Sequence, residues 1–109
     1  MASKVKIELF NNKVKKFVVG LGGTITTDND YVTIISINTK AGNLDVQLHK
    51  PDSADYFFGI FSYFDEPKKA AELIPLDILL NTWSGKYNIR YTHSNISMQQ
   101  FKIFLKSVL

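Results

Sequence analysis

The side chains with which this 109-residue chain could do chemistry are few and badly spaced for it. His49 and His93 each stand among polar neighbours, and a lone surface histidine decorates solvent far more often than it moves protons. There is no cysteine, so neither a disulfide nor a cysteine-ligated zinc can hold the chain together. Asp28-Asn29-Asp30 lacks the glycine and the terminal glutamate of a calcium loop. Asp65, Glu66 and Glu72 read as helix-start charges. Gly20-Leu21-Gly22-Gly23 sits where a phosphate-cradling loop would sit, but β-formers follow it, and no Gly-Lys-Ser/Thr appears. It reads as a bend between strands. The chain is therefore expected to be no enzyme, with no metal and no cofactor.

Two features remain. Lys4, Lys6, Lys13, Lys15 and Lys16 face only Glu8 in the first sixteen residues, a local charge of +4, while the remainder carries eight bases and nine acids. Such a ribbon can meet phosphates, anionic lipid or an acidic partner, or it can simply keep an edge strand soluble. The second feature is aromatic. Tyr56, Phe57, Phe58, Phe61, Tyr63 and Phe64 crowd around Gly59, with Tyr56, Phe58, Ile60, Ser62 and Phe64 on one strand face and Phe57, Gly59, Phe61 and Tyr63 on the other. Both faces are apolar, which marks a strand covered on both sides and makes the segment the expected spine of the core. The competing reading is a stacking platform for bases, each ring contributing about 1–3 kcal/mol. Residues 58–63 echo part of the RNA-recognition-motif strand signature, but its opening Lys/Arg-Gly and its strand-helix order are missing, so that family is not carried over.

The elements that position these residues follow from periodicity. An apolar fraction of 45% against 21% charged indicates a folded chain, and the length suits one domain over residues 1–109. Val5, Ile7 and Leu9 alternate with Lys4, Lys6 and Glu8, which predicts a strand. Asn11-Asn12 then suits a tight turn, and residues 13–19 read as the return strand of a basic hairpin. Further strands are expected at Thr24–Thr27, Tyr31–Asn38, Leu44–His49, Tyr56–Phe64 and Lys86–Thr92. Asp65-Glu66-Pro67 opens a helix, Pro75 ends it, and Leu76–Trp83 forms a second short one. At the C-terminus Ser97 and Gln100 have capping-box spacing, Ile96 and Phe101 that of a hydrophobic staple. Met98, Phe101, Phe104, Leu105 and Val108 fall on one helical face, Lys102 and Lys106 lie off it, and Ile103 points the opposite way, where a partner could meet it.

The expected fold is α+β: a curled, mostly antiparallel sheet of about seven short strands, a helical insertion before the last strand, and a C-terminal amphipathic helix. That element order resembles the pleckstrin-homology-like barrel capped by a helix, and equally the Whirly type of single-strand binder. The interleaved N-terminal charges exclude a signal peptide or a span there, so the chain reads as cytoplasmic. Two functions are expected. The first is a protein-interaction or assembly module without catalysis, its partner another protein or itself as a homodimer, in the character of a viral or plasmid accessory protein. The alternative is a nucleic-acid-binding module, with Lys4, Lys6, Lys13, Lys15 and Lys16 of the basic hairpin giving charge, and Arg90, Tyr87 and Tyr91 giving further contact and stacking.

Overall fold

The computed structural model describes residues 4–50, 60–84, 88–91 and 96–109. The element order is α1 (Lys4–Gly20), β1 (Thr24–Asp28), β2 (Val32–Thr39), β3 (Gly42–His49), β4 (Ile60–Phe64), α2 (Pro67–Leu73), α3 (Leu76–Leu79), β5 (Trp83–Ser84), β6 (Asn88–Tyr91) and α4 (Met98–Val108). The fold is α+β, with a curled antiparallel sheet and helices laid on it. Its strand order is β1-β2-β3-β4-β6-β5.

The expected basic hairpin is a single helix, α1. The physical reason is a longer repeat: Ile7, Val14 and Val18 recur at helical spacing and are its buried residues. Val5 and Leu9, which a strand would have buried with Ile7, are 64% and 55% exposed. Asn11 is not a turn residue; its Nδ2 donates to the His49 carbonyl at 3.1 Å, which ties α1 to the end of β3. With that hairpin gone, its two strands disappear, six strands stand among the described residues, and the pleckstrin-homology-like or Whirly-like order is not confirmed.

The glycine-rich stretch is the end of α1. Gly22 has φ +105°, its N–H donates to the Val19 carbonyl at 3.0 Å, and the Gly23 N–H donates to the Val18 carbonyl at 2.9 Å. This is a Schellman cap with Gly22 in its left-handed position. Gly23 has a separate task, because a Cβ there would lie 2.8 Å from Val18 and 2.9 Å from Ile35. The chain can turn from helix to β1 only where the backbone itself touches the core.

The central strands alternate as a half-covered sheet should. Thr33, Ile35 and Ile37 of β2, Leu44, Val46 and Leu48 of β3, Ile60, Ser62 and Phe64 of β4 and Ile89 of β6 are buried beneath the helices. Val14 and Val18 of α1 and Phe101, Phe104, Leu105 and Val108 of α4 complete that core. The aromatic strand therefore departs from its expected two-sided burial. In its described part Phe61 and Tyr63 lie on the other face, half-buried and stacked on each other at 6.1 Å, with His49 edge-on to Phe61 at 5.0 Å. Tyr56, Phe57, Phe58 and Gly59 lie outside the described residues.

The C-terminal helix follows the sequence closely. Ser97 Oγ accepts from the Gln100 N–H at 3.1 Å and Gln100 Oε1 accepts from the Ser97 N–H at 2.9 Å, the reciprocal capping box. Pro67 opens α2 as expected, although Asp65 does not cap it. The Asp65 carboxylate instead accepts from the Asn43 N–H at 2.8 Å, binding the start of β3 to the end of β4. The second short helix is one turn, α3, and Trp83 belongs to a strand.

Candidate functional site

Helix α1 carries three different surfaces besides its buried stripe, each set by helical spacing. Lys6, Phe10, Lys13 and Phe17 turn toward α4. There the Phe17 ring meets Phe101 edge-on at 6.3 Å, and Lys102 of α4 places Nζ 5.5 Å from the centre of the Phe17 ring. Lys6, Leu9, Phe10 and Lys13 line, with Ser97 and Met98, a groove of about 330 Å³ between the two helices. Val5, Leu9 and Lys16 face outward and are exposed. On the remaining flank Glu8, Asn11, Asn12 and Lys15 form a polar stripe.

That stripe forms one wall of a second concavity, of about 560 Å³. The opposite wall is the β1–β2 turn and the start of β2, with Asp30, Tyr31 and Thr33, and Leu48 and Lys50 complete the lining. Lys50 Nζ lies 2.9 Å from Asp28 Oδ1, and the Thr33 hydroxyl donates to the same oxygen at 3.0 Å. These two hydrogen bonds, with the positive charges of Lys50 and Lys15, hold the Asp28 carboxyl below the usual carboxylate range. The turn is fixed by Asn29, whose Oδ1 accepts from the Tyr31 and Val32 N–H groups at 2.8 and 3.0 Å. Tyr31 is thereby held out from the sheet, 64% exposed.

The sequence-nominated lysines are thus divided. Lys6 and Lys13 serve the groove, Lys15 the cleft, Lys16 the outer face, and Lys4 the exposed first turn. Arg90 and Tyr91 belong to β6, where the backbone of Arg90 is in register with Phe61 and Trp83 and that of Tyr91 with Ile60. Tyr87 lies outside the described residues. Ile103 is 44% exposed on α4. Sequence reasoning missed Lys102 and Lys106 as partners of the N-terminal lysines, and the one available signal was that residues 96–109 contain no acid. With α1 and α4 packed together, one layer carries seven lysines against Glu8 alone, a charge of +6, while the rest of the chain has six bases and nine acids, or −3. The basic region is a property of two elements, not of the N-terminus.

Among the described residues no three His, Cys, Asp or Glu side chains come together as a metal site, and no helix is long and apolar enough to cross a membrane. No protein family, curated protein or solved structure matches the chain.

Proposed function

We propose that the protein is a non-catalytic interaction module that docks an acidic protein segment on the layer formed by α1 and α4. The observation that carries this reading is the charge division: +6 on two packed helices and −3 on everything else. A field of that sign steers an acidic partner and orients it on one side of the molecule. Apolar residues set among the lysines favour a protein over a phosphate backbone. Val5 and Leu9 are more than half exposed, and Leu9, Phe10 and Met98 line the groove together with Lys6 and Lys13. A phosphate chain gains nothing from these side chains, whereas an amphipathic acidic helix can seat an apolar anchor there. Ile103 is a further exposed apolar residue, on α4.

Nucleic acid is the second reading, because the same lysines would neutralise phosphates. Fluorescence anisotropy separates the two, using a labelled amphipathic Glu/Leu helix and a labelled single-stranded oligonucleotide. The protein-docking reading expects the peptide to bind with roughly micromolar affinity. Binding weakens with salt, falls at least about tenfold when Lys13, Lys16 and Lys102 are changed to Glu, and falls again in Leu9→Ser. Oligonucleotide binding that is tighter, steeper in salt and indifferent to Leu9→Ser would transfer the function to nucleic acid. Failure of both probes at low salt would remove the basic layer as a site.

A further inference from the structure

The polar cleft lies on the flank of α1 away from the groove, sharing only Lys15 and Glu8 with the basic layer, and its chemistry points to a different kind of ligand. Where an amphipathic helix borders a sheet, the positions beside its buried stripe are normally apolar and close the seam. In α1 these positions are Glu8, Asn11, Asn12 and Lys15, and the seam stays open as a cleft of about 560 Å³. That volume falls within the range of small-molecule sites, which runs from about 300 to 1,000 Å³.

The lining selects by elimination. An anion would meet Glu8 and Asp30, with Asp28 close behind. A cation would meet Lys15 and Lys50. An apolar molecule would strip water from two asparagine amides and four charges while finding only the Tyr31 ring exposed to it, since Leu48 is buried. The lining suits a neutral molecule that both donates and accepts hydrogen bonds along its rim and has one apolar face. The Asn12 carboxamide and the Asn11 carbonyl offer both kinds of partner, since Asn11 Nδ2 already serves the His49 carbonyl. Carboxylates at Glu8 and Asp30 accept from hydroxyls, and the exposed Tyr31 ring gives a flat surface for C–H groups. We infer that the cleft between α1 and the start of β2 is a binding site for a neutral polyhydroxylated ring, that is, a mono- or disaccharide.

Amide-resolved NMR titration of the full chain tests this with glucose, galactose, N-acetylglucosamine and a disaccharide, and with glycine and inorganic phosphate as controls. The expected result is saturable shifts at residues 8–15 and 30–33 for at least one sugar, with a dissociation constant of about 1 mM. Asn12 and Tyr31 are exposed, so Asn12→Ala and Tyr31→Ala should leave the spectrum folded. Each should weaken that sugar about tenfold, the effect of losing one good contact. The inference is overturned if no sugar saturates, if glycine or phosphate shifts the same residues as well as any sugar, or if both variants bind like the parent. Its failure would leave the basic-layer reading untouched, because Lys13, Lys16 and Lys102 take no part in it.

Discussion

Helices α1 and α4 lie side by side in one layer, both rich in lysine, yet they are held in place by different means. Helix α4 carries its own instructions: a reciprocal capping box at Ser97 and Gln100, Lys106 in the last turn, and four buried residues in eleven. Its rings run through the core, Phe101 on Phe104 at 5.9 Å and Phe104 on Phe64 at 6.2 Å. Helix α1 has no acid in its first turn and buries three residues in seventeen. Its order comes from neighbours and from the way it ends: the Schellman cap, Val18 against Gly23, and Asn11 on the His49 carbonyl. Phe10 and Phe17 add a half-buried flank against the core and α4, and the rest of the circumference is left for contacts. Its lysines, exposed apolar residues and polar stripe all lie on that remainder. The contrast is between a helix that builds the domain and one that the domain presents.

The largest expected effect tests whether α4 is the structural member. Phe104→Ala removes a fully buried ring and should cost about 3–5 kcal/mol in denaturant unfolding. Val14→Ala, at an equally buried position of α1, removes far less apolar material and should cost about 2 kcal/mol. Leu9→Ser should cost almost nothing while weakening the peptide. Equal losses for Phe104 and Val14, or a large loss for Leu9, would break the division of labour.

Next in size is the end of α1. Gly22→Ala forces a side chain onto φ +105° and should destabilise by roughly 1–3 kcal/mol, although an added Cβ there meets nothing within 4 Å. The cost is conformational, so Gly22→Asn should recover part of it. If alanine is neutral at 22, the Schellman cap is not what ends the helix. The corresponding cap on α4 is weaker per residue: Ser97→Ala should lose about 1 kcal/mol, read as a drop in denaturation midpoint without a change in slope.

This asymmetry also explains what could be read in advance. Helix α4 was legible because its signals are local, with Ser97, Gln100, Ile96 and Phe101 all within six positions. The alternating strands β2 and β3 were legible for the same reason. Helix α1 was not, because Val5-Ile7-Leu9 fits period two as well as it fits a helix, and Asn11-Asn12 has the chemistry of a turn. The residues that decide the matter are Val14 and Val18, which join a core built by the sheet and α4. Tertiary contact overrode local preference. The candidate sites were harder still. The cleft joins residues 8–15 to residues 30–33 and 48–50, and the basic layer joins α1, which ends at Gly20, to a helix that begins only at Met98. No spacing in the sequence announces either. The lysines themselves were visible, but their company was not.

The smallest predicted effect concerns the ion pair at the edge of the cleft, and its sign follows from the direction of the Asp28 shift. Hydrogen bonds from Lys50 and Thr33 favour the charged carboxylate in the folded state, so its folded pKa lies below its unfolded one. The pair's contribution to stability is then complete above the unfolded value and is lost as pH falls through the lowered folded value. With the Lys50 and Asp28 side chains 38% and 44% exposed, water and salt screen the interaction, so the stability change should be slight. Carboxyl-detected NMR is the sensitive readout. In Lys50→Met the Asp28 midpoint should rise toward the ordinary range, and Thr33→Val should raise it by a smaller amount. The shift should shrink in high salt in the parent but hardly at all in Lys50→Met. An Asp28 midpoint that does not move in Lys50→Met would show that the carboxylate is not held by this pair. The wall of the cleft opposite α1 would then owe its shape to the Asn29 turn alone.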